Sequence, residues 1–390
     1  MVARDQVGAT AGDCAGADPP DSTPETELRV LHVVEAFGGG VFEVIRELVA
    51  RLPHHGVRSA IAYGVRSETP SEVRSLVHSD VEVFALPWNG RSARVQLSAR
   101  KALRGTVARW NPDVVHLHSS FAGLVGATAV DRSIPTIYTP HGYSFLMTDK
   151  SRVAIKAFKV LERVVAARVW SVGAVSEHEA CLARNVAGAA NVFVVRNGIP
   201  ELDRPLNPVL RKSQLRPLVI AMGRIAPARR PDEAASILRD VSDCAEVRWV
   251  GGGSEPGASA PVLRQGVPVT GWMSREEASA HLRSASVYLH WAAWDGLPLS
   301  VLEAMAYNVP VVGSDIGPLR ELLPPEQICA TPEQAAHLVR ALVKDPARRE
   351  RALRAQDLIR HHHSAADMAL GWADAYARLA GRRLVHAHTA

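Results

Sequence analysis

The stretch LRVLHVVEAFGGGVFEVIRELVARL, residues 28–52, decides the fold. Residues 28–35 are a short apolar run rich in β-branched side chains, and Gly38-Gly39-Gly40 ends it. Beyond the glycines, Val41, Val44, Ile45, Leu48 and Leu52 recur at the three- and four-residue spacing of a helix. The order is strand, glycine turn, helix. Residues 59–63, 81–86, 113–118 with a small-residue helix from Phe121, and 136–138 repeat it, and 174–176 and 192–195 read as two further strands. Strands alternating with helices predict a parallel sheet with crossover helices.

The pattern then breaks. Residues 197–217, NGIPELDRPLNPVLRKSQLRP, carry four prolines and no amphipathic period, which marks an interdomain linker centred on 201–216. A second alternating series follows at 218–222, 246–250 before Gly251-Gly252-Gly253, 267–270, 287–290 and 309–313. The expectation is two doubly wound α/β domains, residues 28–200 and 217–363, facing across a cleft. Ligands of such sheets lie outside the carboxyl ends of the strands.

The bulk properties agree. A chain of 390 residues exceeds what one core fills, and 47% apolar with 22% charged residues is a globular composition. Residues 1–27 hold six acids and one arginine with no apolar segment, so they read as a disordered tail and not a signal peptide. The four cysteines lie far apart without a CxxC pair, which fits a reducing, cytoplasmic setting. No uncharged apolar run reaches the 18 or so residues of a membrane span. The net charge of +5 suits anionic partners.

Three segments carry chemistry. Gly38 to Gly40 open a helix, where free N–H groups and the helix dipole favour phosphate, but Glu43 stands where a dinucleotide fingerprint needs its third glycine. A plain tight turn explains them equally well. In GRIAPARRP, residues 223–231, Arg224 and Arg229 can converge on one diphosphate, with a solvated basic loop as the alternative. In WDGLPLSVLEAMA, residues 294–306, Asp295 precedes a helix and Pro298 suits its first turn, leaving neighbouring N–H groups free to meet an anion. Glu303 sits among Leu302 and Met305, where a carboxylate is expensive to bury unless hydrogen-bonded, for example to ribose hydroxyls. A surface helix charge is the alternative.

Together these segments resemble the GT-B retaining glycosyltransferases of family GT4. The family's acid-x7-Glu hallmark is matched by Asp295 and Glu303, its phosphate-binding Arg and Lys by Arg224 and Arg229, and its first glycine loop by Gly38 to Gly40. Further matches are Tyr138-Thr139-Pro140-His141-Gly142, Val175-Ser176-Glu177 and Arg196-Asn197-Gly198-Ile199, in order across roughly residues 28–380. Two positions depart: Asp295 replaces the usual Glu and Arg229 the usual Lys.

The resemblance implies a GT-B fold whose C-terminal helix, within 364–390, crosses back to the first domain. It implies a nucleotide-diphosphate sugar as co-substrate, transferring a hexose-type sugar with retention of configuration to an acceptor that is a glycolipid, a polysaccharide or a small molecule. Arg224 and Arg229 would hold the diphosphate, Glu303 the ribose, and Asp295 with the turn Gly296, Leu297, Pro298 and Leu299 the transferred sugar. His141 would approach from the first domain while Gly39 and Gly40 close over the diphosphate. Positioning and charge stabilisation would supply the catalysis without a metal or cofactor.

Other features read more plainly. His116 and His118 point the same way on a strand, but no acid or cysteine completes a metal site. His361-His362-His363 reads as a solvated helix connection, and Gly251 to Gly253 as a turn. Arg91, Arg94, Arg100, Lys101, Arg104 and Arg109 accompany an apolar stripe of Val95, Ala99, Leu103 and Val107. Arg152, Lys156, Lys159 and Arg163 lie opposite Val153, Leu161 and Val164. Such helices usually face water; the alternative is docking on anionic lipid or a lipid-linked acceptor at the inner membrane face. With 5% aromatics and no stacking platform among the basic residues, nucleic acid is not expected. A nucleotide-sugar epimerase of the same architecture and a non-catalytic sugar-nucleotide binding protein are the competing functions.

Overall fold

The structure, a computed structural model, describes residues 27–66, 69, 72–90, 92–200, 216–253 and 255–383. The tail and the linker read from the sequence lie outside these residues apart from Glu27 and Arg216, as does Arg91. Strands β1 (Leu28–Val34), β2 (Val57–Gly64), β3 (Glu82–Leu86), β4 (Val114–His118), β5 (Thr136–Thr139), β6 (Ser171–Ala174) and β7 (Val192–Val194) form one sheet, ordered β3-β2-β1-β4-β5-β6-β7. Strands β8 (Leu218–Met222), β9 (Glu246–Val250), β10 (Val287–His290), β11 (Val311–Ser314) and β12 (Ile328–Cys329) form a second, ordered β12-β11-β10-β8-β9. All these pairings are parallel.

Parallel strands need both faces covered, which is why their residues are nearly all apolar. In β1, Leu31 and Val33 enter a core with Leu103 and Leu117, whereas Val30 enters another with Leu48 and Trp372. In the second sheet Val219 and Leu289 pack with Trp249 and Trp291 on one side, while Ile220 and Tyr288 pack with Leu302 and Met305 on the other. Strand order reverses between β1 and β4 and again between β8 and β10. Those two switch points open crevices at the carboxyl ends of the strands, and each domain contributes one.

The helix Ala365–Leu379 returns to the first domain. Met368, Trp372 and Tyr376 are buried with Leu28, Val30, Leu48 and Ile137. It is pinned at its start by a backbone exchange, with the Ile199 N–H donating to His363 O at 3.1 Å and the Ala365 N–H to Ile199 O at 2.8 Å. A Cβ on Gly198 would stand 2.0 Å from Ser364 O, which is backbone and cannot step aside. Gly198→Ala is therefore expected to destabilise the fold by about 1–3 kcal/mol, read as a lower urea midpoint. Gly90→Ala, whose Cβ would meet nothing within 4 Å, should leave the midpoint unchanged.

Several sequence expectations need correction. The strand read at 174–176 lies at β6, three residues earlier, because its small residues leave room for the crossing helix; a Cβ on Gly173 would meet the Trp372 ring at 2.5 Å. Residues 267–270 form no strand but only isolated bridges, Trp249 to Val269 and Gly251 to Gly271, since Pro268 cannot donate to a ladder. Of the three consecutive histidines only His361 and His362 are exposed; His363 is buried, with its ring on Asn197 O at 3.0 Å.

The helix Arg152–Ala166 faces opposite to expectation. Val153, Val160, Leu161 and Val164 are exposed, and the inner face is instead Ile155, Phe158, Glu162 and Val165. The Glu162 carboxylate is held there by hydroxyl donors, Ser120 at 2.6 Å and Tyr138 at 2.8 Å. Those partners satisfy a buried acid that its own segment marks as solvent-facing.

Candidate active site

At the β8/β10 switch point, β8 ends at Met222 and the chain turns through Gly223, whose φ of +119° excludes a side chain without strain. The 3-10 turn Pro227–Arg229 follows and sends the Arg229 guanidinium back over the strand ends. Its NH1 donates to Asp295 Oδ2 at 2.6 Å and to His290 Nε2 at 3.1 Å. A guanidinium only donates, so His290 accepts at Nε2 and carries its proton on Nδ1, which lies 2.9 Å from the Tyr288 hydroxyl. Tyr288 in turn donates to Ser300 Oγ at 2.9 Å. Burial would raise the Asp295 carboxyl, but the adjoining Arg229 guanidinium holds it well below the usual carboxylate range. Burial, with Arg229 adding to it, pulls His290 down to about 4.

Asp295 also accepts from the Gly296 N–H at 2.8 Å, just before the helix Leu299–Ala306. Pro298 caps that helix and does not open its first turn. Leu297 and Pro298 are buried, and Asn197 Nδ2 donates to Leu297 O at 3.2 Å. The first domain touches the turn directly: a Cβ on Gly296 would lie 2.9 Å from the carbonyl carbon of His141. His141 is half-buried with φ +53°, a left-handed conformation that costs a non-glycine residue strain and clusters at functional sites. Its turn is fixed by Glu179, which accepts the Gly142 N–H at 2.7 Å and the Val175 N–H at 2.9 Å. Burial pushes the Glu179 carboxyl up to about 7 against those two bonds.

Glu303 is no surface charge, since only 16% of its side chain is exposed. Its Oε1 accepts from Arg275 NH2 at 2.6 Å, and Arg275 NH1 reaches Glu43 of the first domain at 2.5 Å. Burial raises the Glu303 carboxyl and Arg275 opposes it. Glu43 lies in the first turn and a half of the helix Gly39–Arg51, which Gly39 and Gly40 begin; both glycines are exposed, with open space where a Cβ would stand. Arg224 is exposed and makes no hydrogen bond or ion pair among the described residues.

Asp295, Gly296 and Arg229 therefore meet one another and the His141 turn, and Glu303 is tied through Arg275 to the glycine helix. Four residues of this site were missed in the sequence. His290 is the polar end of an apolar strand, and Arg275 is a cation at a helix start, where the dipole disfavours it. Glu43 registered only as a missing glycine. Glu179 left no signal, for the neighbouring Glu177 is exposed and pairs with Arg196 at 3.3 Å.

Residues 39–198 match the family described as Glycosyl transferase 4-like domain, and residues 216–345 match Glycosyl transferases group 1. The chain is 25% identical over 350 residues to the GDP-mannose-dependent alpha-mannosyltransferase of Mycolicibacterium smegmatis, covering 80% of this chain and 89% of that protein. It is 25% identical over 230 residues to the UDP-Gal:alpha-D-GlcNAc-diphosphoundecaprenol alpha-1,3-galactosyltransferase of Escherichia coli, covering 52% of this chain and 58% of that protein. Sucrose-phosphate synthase of Thermosynechococcus elongatus superposes with a TM-score of 0.75 at 18% identity, over 90% of this chain and 99% of that one. The two family matches together span more than half of the sequence, and the chain belongs to the group 1, GT4-type glycosyltransferases, with their two-domain GT-B fold.

Proposed function

We propose that the protein transfers a hexose-type sugar from a nucleotide-diphosphate donor, bound between the two sheets, to an acceptor with retention of configuration. The observation that carries this reading is the Arg229–Asp295–His290 group at the switch point of the second sheet, in contact with the His141 turn of the first. Arg229 and Arg224 take up the charge of the departing diphosphate, a task that requires no divalent ion. Asp295, held as a carboxylate, accepts from sugar hydroxyls, and Glu303 exchanges Arg275 for the two hydroxyls of a ribose. The relatives named for UDP-Gal and GDP-mannose support a nucleotide sugar as donor. An epimerase or a passive binding protein would use the same donor site without an acceptor; membership among transferases weighs against both.

Glu303→Ala is expected to raise the donor KM by about 10- to 100-fold, the worth of hydrogen bonds to a charged group, with kcat little changed. Initial rates against donor concentration check it, and an unaltered KM removes the ribose role.

The acceptor is proposed to be lipid-linked, and the protein to work peripherally on an anionic membrane. The helix Arg152–Ala166 shows Val153 (77% exposed) and Val160 (57%) to solvent beside Arg152, Lys156 and Arg163, and its sole acid, Glu162, is buried. Exposed Trp170 and a concavity of about 380 Å³ lined by Arg104, Arg132 and Arg168 lie past its end, with Asp131 among them. This is the composition of an interfacial helix. The earlier basic helix, Ala93–Trp110, contributes less, because Arg100 and Arg104 donate to Thr128 O and Ala129 O and Arg109 stacks on Phe84. Flotation with anionic liposomes should recover the protein at low salt and less of it at physiological salt, and Val160→Glu should abolish it; no flotation in either buffer excludes the membrane role.

A further inference from the structure

Three imidazoles run in a line from the core of the first domain to the His141 turn. His32 Nδ1 on β1 lies 3.1 Å from His118 Nε2 on β4, and His118 Nδ1 lies 2.9 Å from His141 Nε2. His32 and His118 are buried, whereas His141 is half-buried and its Nδ1 makes no hydrogen bond among the described residues. Beside them the His116 ring lies tilted against His118, with ring centroids 3.9 Å apart. The nitrogens of His32, His116 and His118 come close enough to hold a metal ion, but counting protons gives His116 other partners.

A neutral imidazole has one N–H and one lone pair. Thr139 gives its single hydroxyl proton to Gly173 O at 2.7 Å, so at 2.8 Å it accepts the proton of His116 Nε2. His116 Nδ1 then accepts from the Tyr376 hydroxyl at 2.7 Å, and both its nitrogens are occupied. The remaining three rings admit two directions. If His141 Nε2 donates inward, each proton shifts inward and His32 is left with an N–H on Nε2, an atom that is buried with no partner. If His32 Nδ1 donates outward, the unpartnered atom is a lone pair. Orphaned buried donors are rarer and more costly than orphaned acceptors, so the outward direction wins.

We propose that His32 and His118 are positioning residues that hold His141 as its Nδ1–H tautomer, so that it presents a neutral hydrogen-bond donor, and no base, to an oxygen of the bound sugar nucleotide. The ligand in this statement rests on the function proposed above; the tautomer does not. Burial pulls His141 down to about 4 and His32 to about 3, and both stay uncharged at neutral pH. Free histidine prefers its proton on Nε2, so the Nδ1–H form is a signature that mere packing would not produce.

The test is a two-bond 1H–15N correlation spectrum of the ligand-free full chain with labelled histidine at pH 7.5, with His141 assigned by its loss in His141→Gln. The expected result is a protonated Nδ1 and a bare Nε2 on His141. His118→Asn, whose amide N–H replaces the Nδ1 donor, should preserve that pattern, and His118→Phe should return the proton to Nε2 and lower kcat about tenfold. A wild-type His141 protonated on Nε2 overturns the proposal, and this holds even if His118→Phe fails to fold. An unchanged His141 signal in folded His118→Phe overturns it as well. Failure to turn over any UDP- or GDP-sugar would count against the glycosyl-transfer reading alone, since the spectrum contains no ligand.

Discussion

Arg229→Ala should lower kcat by about 10² to 10³, the usual loss when one preorganised donor to a developing anion is removed. The size follows from its surroundings. The guanidinium is 23% and its partner carboxylate 19% exposed, and His290 beside them is buried and uncharged, so little water is left to replace the lost charge. Removing Arg229 also leaves the Asp295 carboxylate without its strongest partner, which raises its pKa and weakens its hold on sugar hydroxyls. Arg229→Lys, which keeps the charge and is the usual residue in the family, should retain most of the turnover. Single-turnover rates with saturating donor separate this chemical effect from the binding effect expected for Glu303→Ala. Near-wild-type kinetics in both variants would contradict the site.

The second large effect is on stability in acid. His32 is pulled down to about 3 and His141 and His290 to about 4, and His116 and His118 lie well below the ordinary histidine value, all chiefly by burial. In the unfolded chain these rings take up protons near pH 6.5, and in the native protein only near pH 4 or lower. The stability they contribute is therefore complete above pH 6.5 and is lost as pH falls from there towards 4. A single ring moved from 6.5 to about 4 corresponds to about 3 kcal/mol. Glu179, raised to about 7, works in the opposite sense between pH 4.5 and 7; Glu162 and Glu303, which burial also raises, act in the same direction as Glu179. Five rings against three carboxyls leave destabilisation in acid as the net direction, and a shift of about 3 kcal/mol at one ring is already a large part of the roughly 5–15 kcal/mol that holds a typical fold. Urea midpoints at pH 7.5, 6.0 and 5.0 should fall in that order, and a flat profile would mean that the imidazoles are hydrated.

Sequence made the strands around the site legible because each is a contiguous apolar run ending in a turn, and β1, β8 and β10 together place Gly39, Arg229 and Asp295 at switch points. What stayed hidden depends on partners distant in the chain. β6 is hard to place because Gly173, which weakens its apolar run, is small where the distant Trp372 packs. The helix Arg152–Ala166 has two candidate apolar stripes, and only Ser120 and Tyr138 decide between them by receiving Glu162. Arg275 carries no motif, and its role exists only where Glu43 and Glu303 approach from different domains. His32 pairs in register with His116, which no local period reveals.

The return of the last helix to the first sheet bears on how the chain is made. Trp372 and Tyr376 complete a core whose other walls, Leu28, Val30 and Leu48, are synthesised more than 300 residues earlier. The amino-terminal half therefore leaves the ribosome with an oily face uncovered and cannot finish folding before translation is nearly complete. Nascent chains of this protein will need shielding from one another during that interval, and a premature stop just short of residue 365 would damage the half of the molecule that had already been built.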